Sequence, residues 1–281
     1  MFTGTYTAIV TPFRHGKIDG PALKRLIERQ INSGVDGIVP VGTTGESPTV
    51  SFDEHIHLIE FAVKVAAGKI KVLAGTGGNA TEEAIYLTKA AERAKADGSL
   101  QVAPYYNKPA QEGLFQHFRA IARATKLPII LYSIPGRCGV EIGVDTTRRL
   151  AGACKNIIGI KEAGGNSDRV SQLRAALGEK FIILSGDDSL TLPFMSVGAD
   201  GVISVASNVI PRDVAQMVKN FAAGKTAAAL KIHQKFYPLF KDLFIETNPV
   251  PVKAALAILG QIEEEYRLPL VPMSAKNRKV L

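Results

Sequence analysis

Lys161 ends a short apolar run, Ile157-Ile158-Gly159-Ile160-Lys161-Glu162-Ala163, that reads as a strand buried on both faces. A cation held there is costly unless it is paired or gives up its proton. A lysine kept in such a place has a lowered pKa and a larger share of free amine at neutral pH. A free amine attacks carbonyls, so Lys161 is a candidate Schiff-base nucleophile. The alternative is a strand-end lysine whose stem is covered and whose ammonium reaches water.

Other reactive types gather in short loops. Val41-Gly42-Thr43-Thr44-Gly45-Glu46-Ser47 offers backbone N–H groups freed by glycine and two hydroxyl donors, a chemistry suited to a carboxylate. It lacks the Gly-Lys-Ser/Thr ending of a phosphate-binding Walker loop. Pro104-Tyr105-Tyr106-Asn107 and Tyr132-Ser133-Ile134-Pro135-Gly136-Arg137 follow. A tyrosine beside a reactive amine can move protons, and an arginine can hold a carboxylate with two hydrogen bonds. Taken singly, Tyr132 is equally a core residue and Arg137 a surface ion-pair partner.

These residues need a scaffold that brings them to one place. Eight β-rich runs recur: 6–10, 37–41, 71–75, 100–104, 128–134, 157–162, 181–185 and 201–205. Amphipathic segments with helical spacing lie between them, at 21–33, 53–67, 81–96 and 111–125. Asp19, Ser51 and Asn79 read as helix starts. Regular alternation predicts parallel strands with right-handed crossovers, and eight units predict an α/β fold closed as a (β/α)₈ TIM barrel. In such barrels the active site lies at the C-terminal strand ends, where the loops above fall. Residues 1–224 read as the barrel and 225–281 as a small helical C-terminal extension, with helices over 226–240 and 253–262.

Composition narrows the class further. The 281 residues are 46% hydrophobic and carry a net charge of +8, with basic residues spread along the chain. No basic, aromatic-interleaved helix points to nucleic acid, and no apolar run is long enough for a membrane span. The field of a mildly basic chain favours small anionic substrates. The N-terminus reads as lacking a signal peptide, and two cysteines, Cys138 and Cys154, without a Cys/His cluster argue for a reducing cytoplasm and against structural zinc. Gly75-Thr76-Gly77-Gly78-Asn79-Ala80 matches a dinucleotide fingerprint on paper, but in the third unit rather than the first. His55 and His57, two apart on a helix, point about 200° away from each other and cannot share a metal.

The strings Gly42-Thr43-Thr44-Gly45-Glu46, Pro104-Tyr105-Tyr106-Asn107, Tyr132 to Arg137 and Ile158 to Ala163 together resemble the class I, pyruvate-dependent aldolases of the N-acetylneuraminate lyase superfamily. Ser185-Gly186-Asp187-Asp188, Gly201-Val202-Ile203-Ser204-Val205 and Asn248-Pro249-Val250-Pro251-Val252-Lys253 extend the resemblance over essentially the whole chain. It is most similar to the dihydrodipicolinate synthase branch, because the sialic-acid lyases lack the arginine at position 137.

The resemblance implies a lyase that condenses pyruvate with L-aspartate 4-semialdehyde in lysine biosynthesis, without metal or organic cofactor. Lys161 would form the imine, and Thr43 and Thr44 would hold the pyruvate carboxylate. Tyr132, Thr43 and Tyr106 would relay protons, Tyr106 coming from a neighbouring subunit of a homotetramer built as a dimer of dimers. Arg137 would receive the semialdehyde carboxylate, and the backbone of Gly186 and Ile203 would lie around the substrate. Ser47, His55, Asn79, Glu83 and Tyr105 match an allosteric site for L-lysine in inhibited relatives, with Phe52 replacing a histidine found in some of them. Ser133 and Cys138 depart from the Asn and Thr usual in the family, and the chain ends somewhat earlier than many relatives. Another pyruvate-type aldolase, a keto-acid dehydratase and a non-enzymatic ligand-binding barrel remain as rivals.

Overall fold

Strands with Val, Ile and Leu at successive positions bury both faces, and only a layer of helices outside a closed sheet satisfies that demand. The computed structural model describes residues 2–281 and has this architecture. The strands are β1 (Gly4–Ala8), β2 (Gly37–Val39), β3 (Lys71–Gly75), β4 (Gly98–Val102), β5 (Ile129–Ser133), β6 (Ile157–Glu162), β7 (Ile182–Ser185) and β8 (Gly201–Ser204). All pair in parallel, and β1 closes the barrel by pairing with β2 at Tyr6–Gly37 and with β8 at Tyr6–Ile203. A hairpin of two-residue strands, 13–14 and 17–18, sits between β1 and the first helix.

The period-two alternation of strands sorts side chains inward and outward. Tyr6, Val39, Leu73, Leu100, Ile130, Leu184 and Ile203 fill the barrel interior. Their neighbours Ile38, Val72, Leu131, Ile183 and Val202 face the helices. The fourth strand begins two residues before the expected 100–104, because Leu73 and Ala74 pair with Gly98 and Ser99. The first is likewise shifted from 6–10 to Gly4–Ala8.

The outer helices start where their capping chemistry allows. In α1 (Gly20–Ser33) Asp19 Oδ1 accepts the Ala22 N–H at 2.9 Å. In α2 (Phe52–Ala66) Ser51 and Glu54 form a reciprocal capping box. The expectation for Asn79 fails. The third helix, α3 (Thr81–Arg93), is capped at Ala80, and the Asn79 amide instead donates to the Tyr105 carbonyl at 3.2 Å. The circuit continues with α4 (Gln111–Arg123), the short α5 (Pro135–Cys138), α6 (Val144–Ala153), α7 (Ser167–Leu177), α8 (Thr191–Ser196) and α9 (Pro211–Ala222). After it come α10 (Thr226–Asp242), α11 (Val250–Ile258) and α12 (Ala275–Arg278). Phe240, Leu243, Val252 and Leu256 from this last part join the same core as the barrel helices. Among the described residues no helix is long and apolar enough to cross a membrane.

Candidate active site

Lys161 faces the barrel interior because β6 carries one extra residue. Ile129 pairs with Ile157, but Ile130 pairs with Gly159, so the register slips by one at Ile158. From there Leu131 lies beside Ile160, both outward, and Tyr132 beside Lys161, both inward. Without this bulge Tyr132 would neighbour Ile160 and the amine would lose its tyrosine. Lys161 Nζ lies 4.0 Å from the centroid of the Tyr132 ring.

Gly186 makes room for the lysine. A Cβ there would stand 3.0 Å from Lys161 Cε and 2.6 Å from the Ala163 methyl, so any side chain would push the amine aside. Burial lowers the Lys161 pKa to about 7, helped by Arg137 and opposed by the Asp188 carboxylate. Asp188 is itself buried, accepting from Ser204 Oγ at 2.5 Å and from the N–H groups of Val205 and Ala206 at 2.9 Å each. Burial pushes its pKa up, and these hydrogen bonds oppose the shift. Burial also raises the Tyr132 phenol above its ordinary range, while Arg137 and the Thr43 side chain pull it down. The amine is thus half free near neutrality, and the phenol beside it keeps its proton.

These groups share a cavity of about 250 Å³ at the C-terminal mouth of the barrel. Lys161, Tyr132, Thr43, Thr44, Arg137 and Gly186 all line it. Two expected residues do not. The Ile203 side chain is buried inside the barrel, and Val205 reaches the cavity wall in its place. Tyr106 is 91% exposed and does not line its own chain's cavity, and its backbone has a φ of 72°. Cys138 lines the wall, but burial pushes its thiol up to about 11, which leaves little thiolate. Ser133 is buried and its hydroxyl accepts the Ile142 N–H at 3.3 Å.

A second cavity, about 270 Å³, is lined by Ser47, His55, Glu83 and Tyr105 of the expected allosteric set. Asn79 stays outside it, holding the Tyr105 carbonyl. Ser47, Pro48, Gly77 and Tyr105 line both cavities, so the two share a wall. Burial lowers the His55 pKa, and Nε2 lies 2.7 Å from the Gly75 carbonyl, so the neutral ring spends its one N–H there. The glycine-rich string at 75–80 serves packing. A Cβ at Gly77 would stand 2.3 Å from the Val102 nitrogen, and Thr76 is tied to Thr88, Ser99 and Gln101.

The residues that hold the site were harder to read from sequence. Glu46 and Lys253 form an ion pair at 2.5 Å with both side chains fully buried, and Lys253 Nζ also sits 4.4 Å from the Phe13 ring centroid. Glu162, next to Lys161, is fully buried against Arg169 at 2.7 Å. Arg169 further binds Glu141 at 3.2 Å and the Ile142 carbonyl, which ties down the chain after Arg137. The signal for both pairs was a charge inside an apolar run, the one that picked out Lys161.

The pH dependence follows from the amine. Attack needs free Lys161, so kcat/KM for a keto-acid substrate is expected to rise through a midpoint near 7, about tenfold per pH unit below it. A flat profile between about pH 5 and 8 would show that this amine is not the nucleophile.

The fold and the cavity at its strand ends define the class as a (β/α)₈-barrel lyase. The sequence profile described as the Dihydrodipicolinate synthetase family matches residues 1–281. Over 281 residues the chain is 54% identical to the 4-hydroxy-tetrahydrodipicolinate synthase of Aquifex aeolicus (strain VF5), covering 100% of this chain and 96% of the relative. The solved 4-hydroxy-tetrahydrodipicolinate synthase from the methanotroph Methylacidiphilum fumariolicum SolV superposes with a TM-score of 0.99 at 59% identity, covering 100% and 93% of the two chains. The dihydrodipicolinate synthase of Cyanidioschyzon merolae, solved with lysine bound, gives a TM-score of 0.96 at 43% identity over 99% and 95%. This chain belongs to the dihydrodipicolinate synthetase family.

Proposed function

We propose that this chain condenses pyruvate with L-aspartate 4-semialdehyde to 4-hydroxy-tetrahydrodipicolinate, the first committed step of lysine biosynthesis through diaminopimelate. The observation that carries the reading is the unpaired amine of Lys161, buried beside Tyr132 with its pKa near 7. The amine attacks the pyruvate ketone, and the resulting carbinolamine loses water with a proton from the Tyr132 phenol. The protonated imine is the electron sink, so loss of a methyl proton gives an enamine that attacks the semialdehyde carbon. The amino group of the second substrate then displaces Lys161 and closes the ring.

Thr43 and Thr44 bind the pyruvate carboxylate, and Arg137 binds that of the semialdehyde. Tyr132, Thr43 and Tyr106 relay protons. The 91% exposure of Tyr106 supports its delivery to a neighbouring copy's site, as in a homotetramer of two dimers. Loss of the semialdehyde in the presence of pyruvate, followed directly, tests the reading. Consumption of pyruvate with other aldehydes but not this one would favour the rival aldolase.

Arg137→Ala is expected to raise KM for the semialdehyde about 30-fold, the equivalent of ~2 kcal/mol, with KM for pyruvate changed little. The low end of the range for a charged contact applies because the side chain is solvent-exposed before substrate arrives. Equal KM values in wild type and variant would reduce Arg137 to a surface charge.

The second cavity binds L-lysine in this reading, with Glu83 pairing an ammonium and Tyr105 and His55 giving polar contacts. Its shared wall supports coupling, because filling it presses on Ser47 and Tyr105 without occluding Lys161. Half-exposed Phe52, packed edge-on against Tyr86 at 6.0 Å, adds no hydrogen bond, so affinity is weak. Calorimetry is expected to give a Kd near 1 mM, about −4 kcal/mol, lost in Glu83→Ala. Inhibition is partial and not competitive with pyruvate. Absence of binding heat at about 10 mM lysine would remove the site.

A further inference from the structure

The segment that follows α10 closes one side of the cavity, through Phe244 and Asn248. Asn248 is 5% exposed and touches both carboxylate-binding groups named above. Its side-chain Nδ2 donates to Thr44 Oγ1 at 3.0 Å, and its backbone carbonyl accepts from Arg137 Nη2 at 3.1 Å. No other residue has a hydrogen bond to the side chains of both Thr44 and Arg137 among those described.

We propose that Asn248 is a positioning residue that sets the direction of the Thr44 hydroxyl proton and the place of the Arg137 guanidinium. The proposal rests on the reading that a keto-acid carboxylate binds at Thr44. A hydroxyl has one hydrogen and two lone pairs. When the Asn248 amide donates to one lone pair, the Thr44 hydrogen cannot point at that amide and is left for an anion in the cavity. An acceptor in the same place would have the opposite effect, drawing the hydrogen away. The Arg137 contact uses the backbone carbonyl, so it survives any side-chain change at this position. The two functions of Asn248 are therefore separable by substitution.

The frame around Asn248 supports precision. Thr44 is 3% exposed, and two residues on Glu46 takes a left-handed backbone with φ of 56°, held by the buried Lys253. Lys253 lies one turn beyond Asn248, at the start of α11, and its N–H donates to the Pro249 carbonyl at 3.0 Å. The loop that carries Thr44 and the segment that carries Asn248 are thus locked together at two points, one charged and one neutral.

Asn248→Asp keeps the shape of the side chain but can only accept from Thr44 when ionised. Asn248→Ala frees the hydroxyl without redirecting it. The readout is borohydride trapping of pyruvate on Lys161, set against trapping of acetone, which has the ketone and no carboxylate. The acetone rate divides out any change in the amine itself. The pyruvate-to-acetone ratio is expected to fall at least about tenfold in Asn248→Asp and about threefold in Asn248→Ala, with KM for the semialdehyde unchanged in Asn248→Ala. A ratio equal to wild type in Asn248→Ala, or in a folded Asn248→Asp, would overturn the proposal. Wild type that traps pyruvate on Lys161 upholds the Schiff-base reading on which the proposal rests, whatever the variants do. Wild type that traps neither ketone there overturns both. Should Asn248→Asp fail to fold, Asn248→Ala decides.

Discussion

Lys161→Ala is expected to lose the borohydride adduct with pyruvate and to lower kcat by at least ~1,000-fold, about 4 kcal/mol of transition-state stabilisation. Among the described residues no other amine lines the cavity, so none there replaces it. The same residue is expected to be a burden on the fold. Its folded pKa near 7 lies below its ordinary 10.5. Between those two values the unfolded chain holds one more proton than the folded chain, so stability rises with pH across that window. Below pH 7 both states are protonated and the full cost of burying the charge remains. Lys161→Met, which fills the same space without a charge, should therefore melt higher than wild type near neutrality, by ~5 °C. The gap should close as pH rises toward 10.5. An adduct mapped by mass spectrometry to another lysine would sink the assignment. A Lys161→Met protein that melts below wild type at neutral pH would show that the amine is paired after all.

Two lysines stand in apolar runs, and the sequence treats them alike. Lys161 follows Ile157-Ile158-Gly159-Ile160, and Lys253 follows Val250-Pro251-Val252. The difference lies across the chain. Lys253 meets Glu46, which is 207 positions away, whereas Lys161 meets a tyrosine ring and a cavity. Periodicity sees strands and helices because they are local, so the eight strands and the four helices of the first half were legible to within a few residues. Asn79 misled because a helix-start residue can equally cap a neighbouring loop, and here Tyr105 claimed its amide. The bulge at Ile158 left no mark, since an extra isoleucine in an apolar run looks like any other. Residues whose types announce chemistry stand out in the sequence, and most of those singled out line one cavity. Those that act by holding them, such as Asn248 and Arg169, do not stand out, because their partners are fixed only when the barrel closes.

The buried pair makes the most severe stability test. Glu46 and Lys253 side chains are both inaccessible to water. Burial pushes the Lys253 ammonium below the ordinary lysine range, against the pull of Glu46. A charge pair in such surroundings gains little net energy over an apolar pair of the same shape, but breaking it strands one charge. Lys253→Met is therefore expected to destabilise by about 3–5 kcal/mol, because the Glu46 carboxylate keeps only the Arg267 N–H at 3.2 Å. Glu46→Gln should also destabilise, though by less, because the amide oxygen still accepts from the buried ammonium but no longer neutralises it, and the rings of Phe13 and Tyr266 at 4.4 and 5.2 Å add only a weak attraction. The double variant Glu46→Gln/Lys253→Met removes both charges and should recover most of the loss, a coupling energy of about 2 kcal/mol or more in a double-mutant cycle. Because Glu46 ends the loop that carries Thr43 and Thr44, each single variant should also raise KM for pyruvate, and the double variant should regain stability sooner than affinity. Melting of Lys253→Met at the wild-type temperature would mean that the pair is not buried in solution. Additive losses in the double variant would mean that the two charges do not act on each other, and that the loop is held by its backbone alone.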